Sequence, residues 1–458
     1  MNMSTQAPAA SGTAAAHSST PSTVAFENAP LTPFHLRVTF AGTGGQFSDG
    51  FVLGIIGIAL AIATPQLHLN AVWLGILGAA SLAGLFAGSL FAGSFVDRFG
   101  RRALFNYDMA LFALISVAQF WVTSPTQLLV LRLLLGITLG FDYVVSKALV
   151  VEYSPIRLRG RLLSWLAIAW ALGYACAYVV GYLLKDRGPD IWRVMLLSSA
   201  IPAAIVFLFR VRTPESPLWL QRKGRTAEAL AIIRENIGAN IVLNRAAEST
   251  SGAQASSDAG TTVSRLFSAQ WRTRLFIACF FYMCLVIPYF SLGTFSPMVF
   301  ASLHIQDKFL AGLIYNVFLL FGTVAGALVV DRISRRAFLL WGFFLSAIVL
   351  ACLSFGSHLP GSAVVPLFAI FALVLSGTNN LCFLYPQELF TTELRATALG
   401  FAVAASRVGS AVTTFLFPSI VATYGGQAAV YLCVGVLAAG GVACAIWAPE
   451  TRHASLES

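Results

Sequence analysis

Of the 458 residues, 57% are hydrophobic and only 10% charged, and the mean hydropathy is +0.78, far from the balance of apolar and charged residues in soluble domains. The chain is read as an all-α membrane protein: apolar stretches recur along its whole length, which leaves no room for a sizeable soluble domain, and a β-barrel would show short alternating segments instead. The net charge of +10 does not point to nucleic acid, because the bases are scattered over short loops and form no aromatic-interleaved patch.

Residues 1–35 are rich in Ala, Ser and Thr and lack a basic segment followed by an apolar core, so they read as a disordered cytoplasmic tail and not as a cleavable signal. Stretches long enough for a helix to cross the hydrocarbon layer follow near 38–63, 71–96, 103–122, 126–150, 161–184 and 191–211. After a polar interval they resume near 273–300, 308–330, 337–356, 362–385, 396–420 and 427–448. The expected organisation is an N-terminal six-helix bundle over 36–211 and a cytoplasmic linker over 212–272, with a short amphipathic helix around Thr226 to Ile237. A C-terminal six-helix bundle over 273–448 and a cytoplasmic tail over 449–458 complete it. With the ten bases of the central segment 210–274 set aside, twelve Lys and Arg fall on one side of these spans and four on the other, which places both termini in the cytoplasm. The seven cysteines lie within predicted helices without metal-type spacing, so they read as packing residues; no metal and no cofactor are expected.

Charged punctuation repeats in the chain. GSFVDRFGRR at 93–102 has a looser copy, GALVVDRISRR, at 326–336, so that Asp97 and Asp331 are 234 residues apart. Glu152 and Glu388, and Arg159 and Arg395, are 236 apart, and Glu215 and Glu450 are 235 apart. Landmarks at one common offset imply a duplicated six-helix unit.

GSFVDRFGRR, TPESPLWL, PQELFTTELRA and PETRHASLE resemble the loop signatures of the major facilitator superfamily, in its sugar-porter branch. QFSDGFVLGIIGIAL and LGFDYVVSKALVVEYSP are most similar to bacterial inner-membrane metabolite transporters of unassigned substrate. The resemblance implies twelve transmembrane helices in two pseudo-symmetric bundles, with a binding site near the midplane between them. It also implies a gate on the cytoplasmic face, in which Glu152 pairs with Arg98 or Arg101 and Glu388 with Arg332 or Arg336, with Asp97, Arg102, Arg159, Glu215, Asp331 and Arg395 beside them. Such pairs are weak when wet, about 0–1 kcal/mol, which suits a closure that must open thermally.

Ionisable residues inside a membrane are expensive and point to function. Asp49 lies well inside the first span with Gln46 one turn before it, and Arg132, Tyr143 and Lys147 share a stripe of the fourth. The resemblance implies that a first-span aspartate exchanges a proton while pairing with Arg132. This chain departs from the pattern: the second acid is replaced by Val52, so Asp49 is the expected carrier, with a static helix-to-helix contact as the alternative. Asp142 is expected to bond Ser146 or a neighbouring helix. Trp170, Tyr174 and Tyr178 line one face of the fifth span, and with Gln46, Tyr143, Asn316, Asn379, Asn380 and Arg407 they are candidates to hold a polar solute, beside the alternative of a packing seam. The paired glutamines of true sugar porters are missing from FYMCLVIPYFSLGTFSPMVF, whereas buried arginines suit an anion.

The expected function is therefore secondary transport of a small polar or anionic metabolite, an organic acid or sugar-like compound, by alternating access with proton symport. Uniport, a non-transporting receptor and proton-driven efflux are the alternatives. No P-loop or HExxH cluster is present, so no enzyme is expected. The expected partners are the substrate, protons and the bilayer of the inner membrane, around a monomer.

Overall fold

A computed structural model describes residues 24–26, 29–211, 213–242, 263–355 and 361–451. Eleven helical stretches among them are long and apolar enough to cross a bilayer. The last, Thr397–Trp447, runs for 51 residues, far beyond one crossing. Gly425, at φ 83°, ψ 167°, interrupts it, a backbone geometry in the positive-φ region that glycine enters without steric cost. The result is the expected twelve helices: α1 (Pro33–Ala63), α2 (Ala71–Phe99), α3 (Arg101–Ala118), α4 (Pro125–Tyr153), α5 (Arg159–Leu184), α6 (Ile191–Arg210), α7 (Arg272–Ser302), α8 (Lys308–Val329), α9 (Arg335–Phe355), α10 (Gly361–Glu388), α11 (392–424) and α12 (426–447).

Local chemistry fixes several ends. Ser124 caps α4, accepting from the Gln127 N–H ahead of Pro125 at the first helical position. The Asp307 carboxylate caps α8 by accepting from the Phe309 and Leu310 N–H groups. In the first bundle α1 packs on α5 and α2 on α4; in the second α7 packs on α11 and α12, and α8 on α10. The halves meet where α5 lies on α8, α2 on α11 and α1 on α7. At the α1–α7 crossing a Cβ on Gly57 would strike the Thr294 carbonyl, so only glycine permits this approach. Large apolar side chains such as Phe91, Leu208 and Trp341 are exposed around the outside, as a lipid-facing surface requires.

Within the stretch read as a tail, Val24–Ala25 (β1) pairs in parallel with Ile241–Val242 (β2) of the linker. Phe26 and Ala29 bury against Phe34, Phe105, Leu149, Tyr153 and Ile241, and α1 already begins at Pro33, with a capping box between Thr32 and His35. The Ala, Ser and Thr content hid these few apolar residues, which have a surface on the bundle to cover. Residues 1–23 and 452–458 lie outside the described residues. The linker carries two short helices, Pro217–Arg222 and Thr226–Asn236, the second where the amphipathic pattern predicts it.

Candidate functional site

The α5 stripe lies on the seam between the bundles. Trp170, Tyr174 and Tyr178 stack one above another, with ring centroids 5.4 and 6.0 Å apart. Tyr289 and Phe290 of α7 approach Trp170 to 5.7 and 6.0 Å. The Tyr178 hydroxyl donates to the Gly293 carbonyl of α7 at 2.5 Å and meets the Ser296 hydroxyl at 3.0 Å. That carbonyl is free because residue 297, which would bond it in a regular helix, is a proline without an N–H. Asn316 of α8 is buried nearby, donating to the Gly312 carbonyl, and the hydroxyl of the neighbouring Tyr315 is buried without a partner.

Toward the termini-bearing face, α4, α7 and α11 converge on a group of cations. The Arg407 guanidinium, 6% exposed, lies 5.2 Å from the Tyr143 ring and 5.5 Å from the Phe290 ring. Its Nε is buried without a partner, and no carboxylate among the described residues pairs with it. The Lys147 ammonium sits 3.1 Å from the centre of the Tyr143 ring. The structure thus brings Tyr143, Trp170, Tyr174, Tyr178 and Arg407 to one seam, with Asn316 beside it.

It does not bring the other amides there. Gln46 donates to Asp49 at 3.1 Å. Asn380 ties α10 to the Thr323 carbonyl of α8, and the Asn379 side-chain carbonyl accepts from the Cys382 thiol. Both asparagines lie where α10 breaks between Asn379 and Leu381, where side-chain amides satisfy backbone groups that the interruption frees.

The expected Asp49–Arg132 pair is not formed. Arg132, with no exposure at all, donates to the Val52 carbonyl at 3.2 Å, while its Nε and Nη1 are buried without partners. Arg132 meets the backbone of Val52, whose side chain carries no acid, and Asp49 is one turn earlier. Asp49 instead neighbours Asp142, Arg210, Asp108 and Lys147. At the centre of this group, Arg210 reaches Asp142 at 2.6 Å, Asp108 at 3.2 Å and the Ser146 hydroxyl at 3.0 Å. It also donates to the carbonyls of Ala41 and Phe105 and lies 3.9 Å from the Phe105 ring. Asp142 accepts from Ser146 at 2.6 Å, as expected. Sequence reasoning missed Asp108 and Arg210. Asp108 is a lone acid in an apolar span, which was signal enough; Arg210 ends its span and was counted among the loop bases.

The charged rims repeat at the offsets seen in the sequence. Arg101 pairs with Glu152, which accepts from Ser216 at 2.5 Å, and Glu215 accepts from the backbone N–H groups of Arg101 and Arg102. In the second half Arg335 pairs with Glu388 at 3.1 Å, Thr451 donates to Glu388 at 2.5 Å, and Glu450 accepts from the N–H groups of Arg335 and Arg336. Glu215 and Glu450 thus satisfy the open N–H groups and the positive dipole ends of α3 and α9. Among the described contacts Glu388 pairs with Arg335, in place of the expected Arg332 or Arg336. Arg335 is the counterpart of Arg101 and also holds Asp331 at 3.1 Å, while Arg336 turns to the Ala445 carbonyl. Arg98, Arg102 and Arg332 are exposed and Arg395 half-buried; the side chains of Asp97 and Arg159 lie outside the described residues.

Each of these described clusters sits within one half of the molecule. Among the described residues an ion pair joins the bundles on the opposite face, where the Lys185 ammonium at the end of α5 lies 3.1 and 3.3 Å from the carboxylate oxygens of Asp307 before α8. The Tyr182 hydroxyl approaches the same carboxylate at 3.4 Å. Burial works against ionisation of Asp307, but the Leu310 N–H and Lys185 outweigh it and hold the carboxyl below its usual range. Lys185 is likewise raised by Asp307 against the opposing effect of burial.

The profile of the family described as Sugar (and other) transporter matches residues 22–458. The chain belongs to this family, within the major facilitator superfamily. It is 38% identical over 94% of its length, and 95% of the relative's, to the inner membrane metabolite transport protein YgcS of Escherichia coli (strain K12). It is 24% identical to the niacin transporter NiaP of Acinetobacter baylyi (strain ATCC 33305 / BD413 / ADP1), over 94% of this chain and 98% of that one. The fold is that of the xylose transporter XylE from E. coli in a partially occluded inward open conformation, with a TM-score of 0.78 at 21% identity, covering 93% of this chain and all of that one. The protein is a multi-pass membrane transporter of the sugar type, not an enzyme.

Proposed function

We propose that the protein moves a small organic anion across the inner membrane by alternating access, in symport with a proton, with both termini in the cytoplasm. The observation that carries the substrate class is Arg407: a buried guanidinium on the seam, between aromatic faces, without a carboxylate of its own. A substrate carboxylate would accept from Nε in a charge-assisted bond, and a flat body would lie against Trp170, Tyr289 and Phe290. Niacin, which names one relative, is a carboxylate on an aromatic ring and has this chemistry. Tyr178 and the Lys185–Asp307 pair close the face opposite the termini, so exchange of substrate with the outside requires these contacts to part.

The test is a thermal-shift screen of the purified protein with nicotinate, benzoate, aliphatic carboxylates, hexoses and amines, since a ligand bound to the folded state raises its stability. Carboxylates are expected to stabilise, and Arg407→Ala to weaken binding by about 2–5 kcal/mol, the usual cost of truncating one partner of a buried charged pair. Stabilisation by hexoses alone, or an Arg407→Ala variant that binds carboxylates as before, overturns the reading. Uniport is the second reading, favoured by Val52 and the unpaired Arg132; proteoliposomes that never concentrate the bound carboxylate under an inward proton gradient would establish it.

A further inference from the structure

We infer that Asp49, Asp108 and Asp142, gathered around Arg210 where α1, α3, α4 and α6 meet, share one exchangeable proton, and that this cluster, not an Asp49–Arg132 pair, is the proton site. The inference rests on the proton-coupled reading above and supplies its location.

The first argument is geometric. All three carboxylates are at most 5% exposed. Arg210 bonds Asp142 and Asp108 through a single oxygen of each, and Gln46 bonds one oxygen of Asp49. The three remaining oxygens, Asp49 Oδ1, Asp108 Oδ2 and Asp142 Oδ2, are buried without partners. A buried carboxylate oxygen without a donor is costly, and a proton added to one such oxygen creates a donor for another. The cluster is also tight: a Cβ on Gly45, one turn before Asp49, would strike both Arg210 and the free oxygen of Asp142.

The second argument is charge. The groups facing Asp49 are Asp142 and Lys147 from α4, Asp108 from α3 and Arg210 from α6, while α5 brings its backbone at Trp170 and Tyr174 against Gly50. Three carboxylates therefore stand against two cations, one of which, Lys147, rests on Tyr143. The surplus is a single negative charge, and one proton cancels it. Arg132 is not among the groups that face Asp49; its guanidinium is turned to the Val52 carbonyl.

The same geometry links proton to substrate. Lys147 and Arg407 both lie against the Tyr143 ring. A carboxylate seated on Arg407 adds negative charge beside Lys147 and favours protonation of the cluster; a proton on the cluster likewise favours the anion, as linkage requires. Anion and proton then bind together, in a ratio of one to one.

Infrared difference spectra of the purified, lipid-reconstituted protein between acidic and alkaline buffer test this without any substrate. The wild type is expected to show a protonated carboxyl stretch at the frequency of an apolar environment, downshifted when the protein is made with 13C-labelled aspartate. Asp49, Asp108 and Asp142 are the aspartates inside the described spans, so the isotope shift identifies the cluster in unaltered protein. Asp49→Asn and Asp142→Asn are each expected to abolish the band, since either leaves two carboxylates against two cations, and Arg132→Gln to leave it in place. A wild-type band that ignores the aspartate label, no band at all, or loss of the band in Arg132→Gln overturns the inference. Carboxylate binding in the thermal-shift screen fails or succeeds independently, so the two readings can fall separately.

Discussion

Arg210 holds more of the first bundle together than any other single side chain described. It bonds backbone or side chains of α1, α3 and α4 from the end of α6. Replacing it with methionine keeps the volume but leaves Asp108 and Asp142 without their cation, a loss of about 3–5 kcal/mol for breaking a buried pair. Arg210→Met is expected to melt well below the wild type, and the added change Asp142→Asn to recover part of the loss; equal melting of all three proteins would refute the role. The cost of charge in a membrane made Asp49, Arg132, Asp142, Lys147 and Arg407 legible in the sequence. It could not give their partners. Asp49 and Arg132 are separated by one turn of register that Val52 conceals, and Arg210 reads as a loop base until α6 is seen to deliver it inward.

At the scale of elements, α5 and α8 meet end to end at Lys185 and Asp307. Asp307 is depressed, so its contribution is present above the ordinary carboxylate range and is lost as pH falls through its lowered value. Lys185 is raised, so its contribution is present below the ordinary lysine range and is lost as pH rises through its raised value. The latch is thus intact across neutral pH and fails at both extremes. The pair is partly wet, with Asp307 37% exposed at its side chain, and is worth at most about 1 kcal/mol. Asp307→Asn should therefore shift the population toward opening of this face by no more than about fivefold. Spin labels at the exposed Leu183 and Leu310 would report it as a gain in the longer distance, and an unchanged distribution would count against a latch. Neither residue stood out in the sequence, because the lysine of KDRGPD and the aspartate of QDK, in two loops, carry no common spacing.

For the whole molecule, the described contacts of Arg101, Glu152, Arg335 and Glu388 lie within each half while the seam contacts bind between halves, so the halves should move as rigid bodies. Hydrogen exchange at the amides of Arg101, Arg102, Arg335 and Arg336, held by Glu215 and Glu450, is expected to stay constant between closed and open states. The amides of Phe309 and Leu310, which share the Asp307 carboxylate with Lys185, should exchange faster once that face opens. Accelerated exchange at the rims instead would restore them as the moving gate. The twelve helices and the duplication could be read directly from apolar length and from offsets of 234 to 236 residues. Which charges cross between the halves could not, because spacing along a chain does not say which bundle lies opposite. When the tyrosine on α5 withdraws from α7, the carbonyl it leaves need not go hungry: the Ser296 hydroxyl, already 3.2 Å from that oxygen, is in place to take over. The proline that opened the helix backbone thus has an understudy one residue away, and the two bundles can separate without orphaning a main-chain group in a dry interior.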